Sequence, residues 1–564
     1  MSSMAEAQAV VISRRAELQD CDPSFFKGKV VLVRVDYNVP VSAAPSMSND
    51  SRHSSAHHTW IVSDDSKIKA SLASINFLIN AGAKVVLVSH MGRPPADMMN
   101  MPSSERLMTK FSLHHVLYKL VNHLGSFVGS VVFSRDCVGP KRDEMITSMH
   151  EGDVLLLENT RFHSILEENN DPAFAMALAS KCDIFVMDAF ASSHRAHASV
   201  LGVKPYMSSK VALLGLAAQH ECDGLNRCIS SPTRPFAAVI GGAKMSSKLP
   251  VIRSLLKSKS VDKLIIGGAM AHTFLLAKGV AVGASLVEDS EEMLVLARTI
   301  MRECTEAGIS LLLPMDFVLQ LKGAADEDPM LELPRKRPEA VTTIPEPDGV
   351  AMDIGPLSMR AMIASLQDCK TILWNGPLGY CEMPRYAWST NALIDWMSAR
   401  GNTVTTVVAG GDTVAAAERC LHIAARSSVT NAAGRANVGP SSGHPCRLPH
   451  DKEHSSPSGG HFSHLSLAGG AALEFLKGRR MPGLEVVSFL SELPHSALSD
   501  AALAEVERGA GGEGASMKAA SAIERHAHHQ TDMAMSPPVS LVPCDVRDSS
   551  PGKEGGGVRG NGGA

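Results

Sequence analysis

The sequence predicts an α/β protein with two similar-sized, doubly wound parallel-sheet domains joined by a helical hinge. Short runs of β-branched and aliphatic residues are apolar on both faces, which is typical of strands buried in a parallel sheet. Longer segments of helical spacing separate these runs, and such alternation indicates βαβ units. The pattern occurs twice in the 564 residues, on either side of a segment of helical pattern, Ser208–Leu225.

Five strands and three helices are predicted in the first half. The strands are Val30–Val35, Lys84–Val88, Ser130–Phe133, Val154–Leu157 and Asp183–Met187, and the helices are Asp65–Ala81, Ser112–Leu124 and Asp171–Ser180. We therefore place the first domain at residues 25–207, after an N-terminal extension over 1–24. Residues 208–225 would form the helical connector.

Five further strands are predicted after the connector. They are Phe236–Ile240, Lys263–Ile266, Ser310–Leu313, Thr371–Trp374 and Thr403–Val408, with helical segments between them. This repetition of the strand–helix pattern indicates a second parallel sheet. We place the second domain at residues 226–478.

Three segments are too polar, or too rich in small residues, to bury much apolar surface. They are Ser42–Ser63, Arg426–His461 and Asp500–Ala564. Such segments cannot offset the conformational entropy that is lost when a chain becomes ordered. We predict a surface loop for the first, a mobile insertion in the second domain (426–461) for the second, and a disordered tail over 496–564.

The overall composition excludes several classes of protein. With 54 basic and 58 acidic residues the net charge is −4, whereas a dedicated nucleic-acid or anionic-membrane binder is usually basic. The longest apolar stretch, Leu264–Ala277, is shorter than the ~20 residues that a membrane-spanning helix needs. The 11 cysteines include no CxxC pair, which favours reduced thiols inside a cell. Since the first residues carry no clear targeting signal, we expect a cytoplasmic protein, with a plastid or another organelle as the alternative.

Polar and basic residues follow the predicted strands of the first domain. No GxxxxGK[ST] and no complete GxGxxG follows a strand, which disfavours a P-loop NTPase or a simple dinucleotide enzyme. Ligands of open α/β sheets bind at the carboxyl ends of the strands, so the loops there should meet at one edge. These loops carry His90, Arg93, Arg161 and Arg195, which we call the cationic bowl. Such a cluster favours an anionic, phosphorylated ligand.

About a dozen ordered motifs resemble those of the phosphoglycerate kinase family. In the first half they are VLVRVDYNVP, VVLVSHMGRP, LLLENTRFH and DAFASSHRAHASVLG. In the second half they are AVIGGAKMSSKLPVI, IIGGAMAHTFLLAKG, LLLPMDFV, MDIGPLS, ILWNGPLGYCE, VVAGGDTVAAAE and SHLSLAGGAALEFLKGRRMPGLEVVS. They occur in the family's order and span residues 24–490. The resemblance implies phosphoryl transfer from 1,3-bisphosphoglycerate to Mg-ADP by a monomer that binds small molecules.

The resemblance further implies that the first domain binds the triosephosphate. Asp36 and Asn38 would hold the polar groups of the glycerate, and the cationic bowl would surround its carboxylate and phosphate. Lys67 stands where the family has an arginine that reaches the transferring phosphoryl group. Residues 479–495 would return from the second domain onto the first.

The resemblance assigns the nucleotide to the second domain. Lys244 and Lys248, four residues apart at a helix start, would reach the α-phosphate and the transferring phosphoryl group. Further nucleotide contacts would come from Gly241, Gly267, Gly268, Leu313, Asn375, Glu382, Gly411, Asp412 and Thr413. Asp412 would hold Mg²⁺, a hard cation that prefers oxygen ligands. Gly469 and Gly470 would donate backbone N–H groups to the transferring phosphoryl group.

Several positions depart from the family's pattern near that phosphoryl group. Lys67 keeps the charge of an arginine but lacks its planar fork. Leu467 replaces a threonine, and Met187 replaces an asparagine. Alanine replaces glycine at four positions, Ala191, Ala269, Ala409 and Ala468. A Cβ atom obstructs a backbone that must touch a ligand or adopt a positive φ.

Two functions of different classes follow from these departures. The first is an active phosphoglycerate kinase, with either full or reduced turnover. The second is a protein that keeps the triose and nucleotide sites, catalyses poorly, and serves a regulatory or scaffolding role. Lys67, Leu467 and Ala468 are the residues that separate the two hypotheses.

Overall fold

The computed structural model describes residues 15–43, 60–125, 128–230, 232–320, 340–344, 348–421 and 461–510. The chain divides into two compact units, 1–503 and 504–564, and all the described strands belong to the first. Of the second unit, only residues 504–510 are described, as the continuation of a helix.

The strands and helices are numbered in chain order. The strands are β1 (Val30–Arg34), β2 (Val41–Ala43), β3 (Trp60–Val62), β4 (Lys84–Val88), β5 (Val131–Phe133), β6 (Val154–Leu156), β7 (Ile184–Met187), β8 (Val211–Leu214), β9 (Phe236–Ile240), β10 (Lys263–Ile266), β11 (Ser310–Leu312), β12 (Phe317–Leu319), β13 (Ala340–Val341), β14 (Ala351–Ile354), β15 (Thr371–Asn375), β16 (Thr405–Ala409) and β17 (His464–Leu465). The helices are α1 (Ser66–Asn80), α2 (Ser103–Arg106), α3 (His114–Leu124), α4 (Pro140–Ser148), α5 (Ser164–Glu168), α6 (Pro172–Ala179), α7 (Leu216–Ile229), α8 (Met245–Ser258), α9 (Met270–Ala277), α10 (Glu291–Glu306), α11 (Pro356–Leu366), α12 (Trp388–Ser398), α13 (411–421), α14 (Gly470–Leu476), α15 (Pro482–Glu485) and α16 (Asp500–Ala510).

Six strands of the first half form one sheet in the order β5-β6-β4-β1-β7-β8. All neighbours are parallel, with Val31 opposite Val85 on one side and Ile184 on the other. Most residues of β1, β4, β6 and β7 are fully buried because helices cover both faces of a parallel sheet. All six carboxyl ends therefore lie along one edge of the sheet.

The second half repeats this design in the order β11-β10-β9-β15-β16-β17, again with every neighbour parallel. The chain runs outward from β9 to β11 and then returns to β15 on the other side of β9. The order therefore reverses between β9 and β15, and this switch point is where open α/β sheets form their ligand crevice. The structure confirms the predicted fold class of two doubly wound parallel sheets.

Helix α7 connects the two sheets. It contacts α1 of the first half and β15, β16 and β17 of the second. Buried residues of both halves form a continuous apolar core around it, from Leu32 and Phe185 to Phe236 and Leu264. Beyond α14 the chain returns to the first sheet, where the Ser488 N–H donates to the Ala212 carbonyl (2.8 Å).

The connector differs from its prediction as one helix over Ser208–Leu225. Val211–Leu214 is the strand β8, and α7 begins only at Leu216. The reason lies in the tertiary structure, because pairing with the edge of β7 buries the short apolar run Val211–Leu214. Asp183 also accepts hydrogen bonds from Ser208 and Ser209, which precede the strand β8.

The described residues cover only parts of the three segments that were predicted to be a surface loop, a mobile insertion and a disordered tail. The ends of Ser42–Ser63 pair as antiparallel strands β2 and β3, while 44–59 lies outside the described residues. The insertion over 426–461 also lies outside them, except for His461. The predicted tail disorder is wrong over Asp500–Ala510, which forms α16 and buries Ala502, whereas 511–564 is not among the described residues. Among the described helices, none is long and apolar enough to cross a membrane.

Candidate active site

The structure places the predicted members of the cationic bowl at one edge of the first sheet. His90 follows β4, Arg161 lies in a 3₁₀ turn after β6, and Arg195 follows β7. The charges of Arg161, Arg195 and Lys67 act on His90, and those of Arg195 and Arg93 act on Arg161. These side chains are therefore close together, although they come from separate loops.

Arg161 is the most deeply buried arginine of the bowl, with 4% of its surface exposed. Its Nη1 donates to the carbonyl of Gly92 (2.6 Å). Its Nη2 is buried and finds no hydrogen-bond partner among the described residues. Burial lowers the pKa of Arg161, and the nearby charge of Arg195 lowers it further. A buried, unpaired donor among like charges is the arrangement that an anionic ligand would complete.

Asp36 and Asn38 occupy the turn after β1 together with Lys67 from α1. The Lys67 Nζ lies 2.8 Å from the Asp36 Oδ2 and donates to the Asn38 carbonyl (3.2 Å). The Asn38 Oδ1 accepts a hydrogen bond from the N–H of Gly92 (2.9 Å), which ties this turn to the loop after β4. Lys67 is thus held at the floor of the bowl by a carboxylate.

His90 does not contribute the positive charge that we expected of it. Burial lowers its pKa well below 6.5, and the charges of Arg34, Arg161, Arg195 and Lys67 act in the same direction. The imidazole is therefore neutral at physiological pH. Sequence reasoning counted a histidine as basic because it could not see its burial among four cations.

At the second sheet, backbone groups rather than side chains shape the edge. The loops after β9, β10, β15 and β16 meet there, and we call this edge the glycine rim. The Gly241 N–H donates to the Asn375 carbonyl and the Gly242 N–H to the Pro377 carbonyl, each at 2.9 Å. At Gly376, φ is +99°, and a Cβ would lie 2.1 Å from the Gly241 carbonyl oxygen. Only glycine fits between these strands.

Lys248 is the cation of the glycine rim. It lies in the first turn of α8, and its Nζ donates to the Asn375 Oδ1 (2.5 Å). Burial lowers the pKa of Lys248, the nearby carboxylate of Asp412 opposes that shift, and Lys477 reinforces it. Lys248 therefore lies within electrostatic range of Asp412, as a shared phosphate and metal site requires.

Asp412 and Thr413 open the helix α13 directly after β16. The Thr413 Oγ1 accepts the N–H of Gly376 (2.8 Å), so this helix is fixed to the loop after β15. The side chain of Asp412 is exposed, and no hydrogen bond or ion pair engages it within the described ranges. An open carboxylate beside a lysine suits a hard cation such as Mg²⁺.

Other predicted nucleotide residues are spread around the same rim. Lys244 is exposed and caps α8 in an extended conformation, so it precedes the helix rather than sharing its face with Lys248. Glycines 267 and 268 follow β10, and the Gly268 N–H donates to the Leu378 carbonyl (3.1 Å). Leu313 is half-buried after β11, and Glu382 is exposed in the loop after β15.

Gly469 and Gly470 begin α14, and a Cβ at either position would meet open space. The preceding Leu467 donates its N–H to the Glu221 Oε1 of α7 (2.8 Å). A second contact joins α14 to the bowl: the rings of Phe475 and Phe190 meet edge to face at 5.5 Å. The predicted phosphoryl loop is therefore anchored both to the hinge helix and to the loop that precedes Arg195.

The departures from the family's glycine pattern cause no backbone strain. All four alanines lie in described ranges, and none has a positive φ. Ala269, for example, has φ −62° and precedes α9. Met187 is fully buried in β7, where it contributes to the apolar core. A Cβ is harmless at a negative φ, so the backbone itself accommodates these alanines without strain.

Sequence reasoning missed several residues that build the site from beneath. Asn159 holds two loops of the bowl together: its Oδ1 accepts the N–H groups of Met91 and Arg161, and its Nδ2 donates to the Met91 and Phe111 carbonyls. The neighbouring Glu158 is buried. Both stand in the ENTRF run after β6, so their position at a strand end was the only available signal.

The first sheet carries arginines at its carboxyl edge, one of them with an unpaired N–H group, and the second carries a lysine and an open carboxylate. Two charged sites on two linked sheets are what a phosphotransferase with two substrates needs. The family model described as phosphoglycerate kinase matches residues 18–439. The chain belongs to the phosphoglycerate kinase family, and its function is that of a phosphoglycerate kinase, a transferase.

The chain is similar to phosphoglycerate kinases over most of its length. It is 38% identical to the enzyme of Synechococcus sp. over 463 residues, which cover 82% of this chain and 96% of that one. It is 38% identical to the cytosolic enzyme of Triticum aestivum (81% and 95% covered) and 37% identical to the chloroplastic phosphoglycerate kinase 2 of Arabidopsis thaliana (85% and 84%). The solved phosphoglycerate kinase of Coxiella burnetii matches with a TM-score of 0.59 and 28% identity, covering 82% and 97%. These relatives do not favour the alternative of a protein that only binds its ligands.

Proposed function

We propose that this chain moves the phosphoryl group of 1,3-bisphosphoglycerate to Mg-ADP, with the triose in the cationic bowl and the nucleotide on the glycine rim. Residues 25–207 would form the triose domain, 226–478 the nucleotide domain, and 479–495 the return onto the first. The observation that carries this division is the buried Nη2 of Arg161, which lacks a partner in the described structure. Glu168 pairs with the Arg161 guanidinium only through Nε (3.4 Å), while Arg195 and Arg93 are the nearby cations, so an anionic oxygen is the natural partner of Nη2.

In the bowl, each side chain has a distinct task. Arg93, Arg161 and Arg195 neutralise the carboxylate and phosphate of the glycerate through charge-assisted hydrogen bonds. Asn38 and Asp36 orient the glycerate hydroxyl, because the Asp36 carboxylate accepts its O–H and the Asn38 Nδ2 can donate to its oxygen. Lys67 must exchange its ion pair with Asp36 for a contact with the transferring phosphoryl group.

On the glycine rim, phosphates can approach the backbone closely. A Cβ at Gly241 or Gly268 would overlap the Pro377 carbonyl, and one at Gly267 would overlap the Leu378 side chain, so these glycines let the loops of the rim pack together with their backbone at the edge of the sheet. Lys244 and Lys248 neutralise the phosphates, and Asn375 keeps the Lys248 ammonium in place. Leu313 packs on the base, and Glu382 accepts hydrogen bonds from the ribose hydroxyls. Gly411 and Thr413 lie in the first turn of α13, whose N-terminus faces the phosphates.

Asp412 would hold Mg²⁺, either directly or through water. When bound, the ion neutralises charge on the nucleotide phosphates as the phosphoryl group transfers. The fit rests on the exposed carboxylate of Asp412 and its place within electrostatic range of Lys248. Lys248 and the N–H groups of Gly469 and Gly470 stabilise the moving phosphoryl group.

The two sites must meet, since water in a gap between them would hydrolyse the acyl phosphate and weaken every charge contact. Closure about α7 would bring Lys67 towards Lys248. The contact of Phe190 with Phe475 supports this, because it already couples the loop before Arg195 to α14. We further propose a cytoplasmic monomer acting in glycolysis or carbon fixation.

A coupled assay of the purified full chain tests the proposal. We expect Lys248→Met and Asp412→Asn each to lower kcat by about 10²-fold or more, as losing one preorganised charge contact does. Lys257→Met serves as the matched control, because Lys257 is an exposed lysine at the other end of α8. Nucleotide binding without turnover in the unmodified protein would contradict the proposal and restore the binding-only alternative.

A further inference from the structure

A buried arginine lies directly behind His90. Arg34, the last residue of β1, has no exposed surface, and its Nη2 lies 3.0 Å from the His90 Nδ1. A guanidinium has five N–H donors, no acceptor, and remains charged in proteins. The His90 Nδ1 must therefore accept this hydrogen bond and carries no proton. The proton of the neutral ring is on Nε2.

We propose that Arg34 is a positioning residue that holds His90 as its neutral Nε2–H tautomer, so that His90 serves the bowl as a neutral hydrogen-bond donor and not as a cation. The donor would point its Nε2–H at an anionic oxygen of the phosphorylated glycerate. This inference rests on the proposed function for the identity of the ligand, but the tautomer itself follows from the Arg34 contact alone.

Arg34 can impose this tautomer because its own position is fixed. Its Nε donates to the Ser199 Oγ (2.9 Å), and its Nη1 donates to the Val35 carbonyl (2.6 Å). Ser199 in turn donates through both its N–H and its hydroxyl to the carboxylate of Glu167, at 3.0 and 2.5 Å. Glu167 is fully buried. Its charge balances that of Arg34, since a buried cation without a counter-charge is costly.

The surroundings of His90 also oppose a second proton. Arg34 on β1, Lys67 on α1, Arg161 after β6 and Arg195 after β7 all act on the ring. Protonation of Nδ1 would break the bond from Arg34 and place a fifth positive charge among these four. Burial opposes the charged ring as well. His90 is therefore insensitive to pH over the range in which an ordinary histidine titrates.

A neutral donor has a clear use here. Three arginines and a lysine already supply charge, and each attracts any anion within range. One N–H of fixed direction adds geometric selection without adding attraction. It discriminates among anions by where their oxygens lie.

Nitrogen NMR of the ¹⁵N-histidine-labelled full chain measures the tautomer directly, with a His90→Gln sample to assign the signal. We expect Nε2 to be protonated and Nδ1 to be bare between about pH 5.5 and 8, around the ordinary histidine pKa. A ring that is protonated at Nδ1, or that becomes doubly protonated in this range, overturns the inference. Because the spectrum needs no turnover, an inactive protein with the expected tautomer would contradict only the proposed function.

A matched pair of variants then tests the role in binding. The side-chain amide of glutamine can place an N–H near the Nε2 position, whereas that of asparagine reaches only the Nδ1 position. We expect His90→Gln to retain 3-phosphoglycerate affinity about tenfold better than His90→Asn, by calorimetry. Equal losses overturn the role of Nε2–H.

Arg34→Lys tests the positioning role, since one ammonium lacks the planar arrangement of N–H groups that lets Arg34 donate to Ser199 and His90 at once. We expect the Nδ1–H form of His90 to appear in its spectrum. An unchanged tautomer in the folded variant overturns the role of Arg34. If the variant does not fold, Arg34→Gln is read in the same way, because an amide can accept from Nδ1–H as well as donate to Nδ1.

Discussion

The cationic bowl and the glycine rim are the two proposed sites for a phosphorylated ligand, each at the edge of a parallel sheet, and they are built in different ways. The bowl uses long side chains on separate loops, and its donors are arginines, a lysine and a neutral histidine. The rim uses backbone, with Gly241, Gly268 and Gly376 packed so closely that a Cβ at any of them would overlap a carbonyl oxygen. The bowl therefore tolerates graded change, as Lys67 already illustrates, while the rim does not.

The largest effect is expected where the rim is tightest. In Gly376→Ala the new Cβ would meet backbone at a φ of +99°, and we expect a loss of about 2–6 kcal/mol, from backbone strain plus overpacking. Nucleotide affinity should be lost together with stability. The control for stability is Gly411→Ala, where a Cβ meets open space. Denaturant unfolding checks both variants and nucleotide titration checks Gly376→Ala; equal losses of stability in the two variants would mean that the rim adapts.

The bowl should respond to the loss of one cation without affecting the rim. We expect Arg195→Ala to weaken 3-phosphoglycerate binding by about 2–5 kcal/mol, the usual cost of leaving a charge without its partner. Nucleotide affinity should stay nearly unchanged, because the rim belongs to the other sheet. Calorimetry with each ligand measures this. Comparable losses of both affinities would contradict the division of labour.

A smaller effect, and a gain, is expected when Lys67 is replaced by a residue with a planar guanidinium group. Lys67→Arg should raise kcat by about tenfold, or about 1.4 kcal/mol, because the contact forms mainly in the transition state. Leu467→Thr and Ala468→Gly should add to this non-additively, since all three act on one phosphoryl group. Steady-state and single-turnover kinetics are the measurements. An unchanged single-turnover rate would show that Lys67, despite its ion pair with Asp36, already reaches the phosphoryl group.

The smallest effect concerns a feature that both halves share. Each holds a buried carboxyl whose pKa burial raises to about 7, Glu158 in the first and Asp353 in the second. A raised folded pKa means that the stabilising contribution is complete below about pH 4 and is lost as the pH rises through about 7. Between pH 5.5 and 6.5, we expect each carboxyl to lower the free energy of unfolding by about 1 kcal/mol.

Urea unfolding at several pH values measures that slope. Glu158→Gln and Asp353→Asn should each flatten it by a similar amount. A slope that neither variant changes would show that other groups set the pH dependence of stability.

Much of the fold could be predicted because local sequence reports burial on both faces. Every strand predicted from an apolar run, such as Val30–Val35 or Phe236–Ile240, is present within two residues of its predicted ends. The strand β8 and the antiparallel sheet of β12, β13 and β14 were not predicted. Their runs are short, and their pairing depends on partners far away in the chain.

The candidate site shows the same division. Arg93, Arg161 and Arg195 could be assigned from their positions after strands, because parallel strands bring their carboxyl ends to one edge. The neutral state of His90 could not, since it depends on Arg34 and on three charges from other elements. Nor could the anchoring of Leu467 by Glu221, which joins residues 246 positions apart.

By itself the sequence determined the class of fold, the two halves and the family, and it supplied the candidate site residues, because these depend on local pattern and on motif order. Only the tertiary structure decided which cation is held by which carboxylate, which histidine is neutral, and where a single Cβ cannot fit. The physical reason is that charge state and close packing are set by the nearest neighbours in space. In this fold those neighbours, such as Arg34, Ser199 and Glu167 behind His90, come from distant parts of the chain.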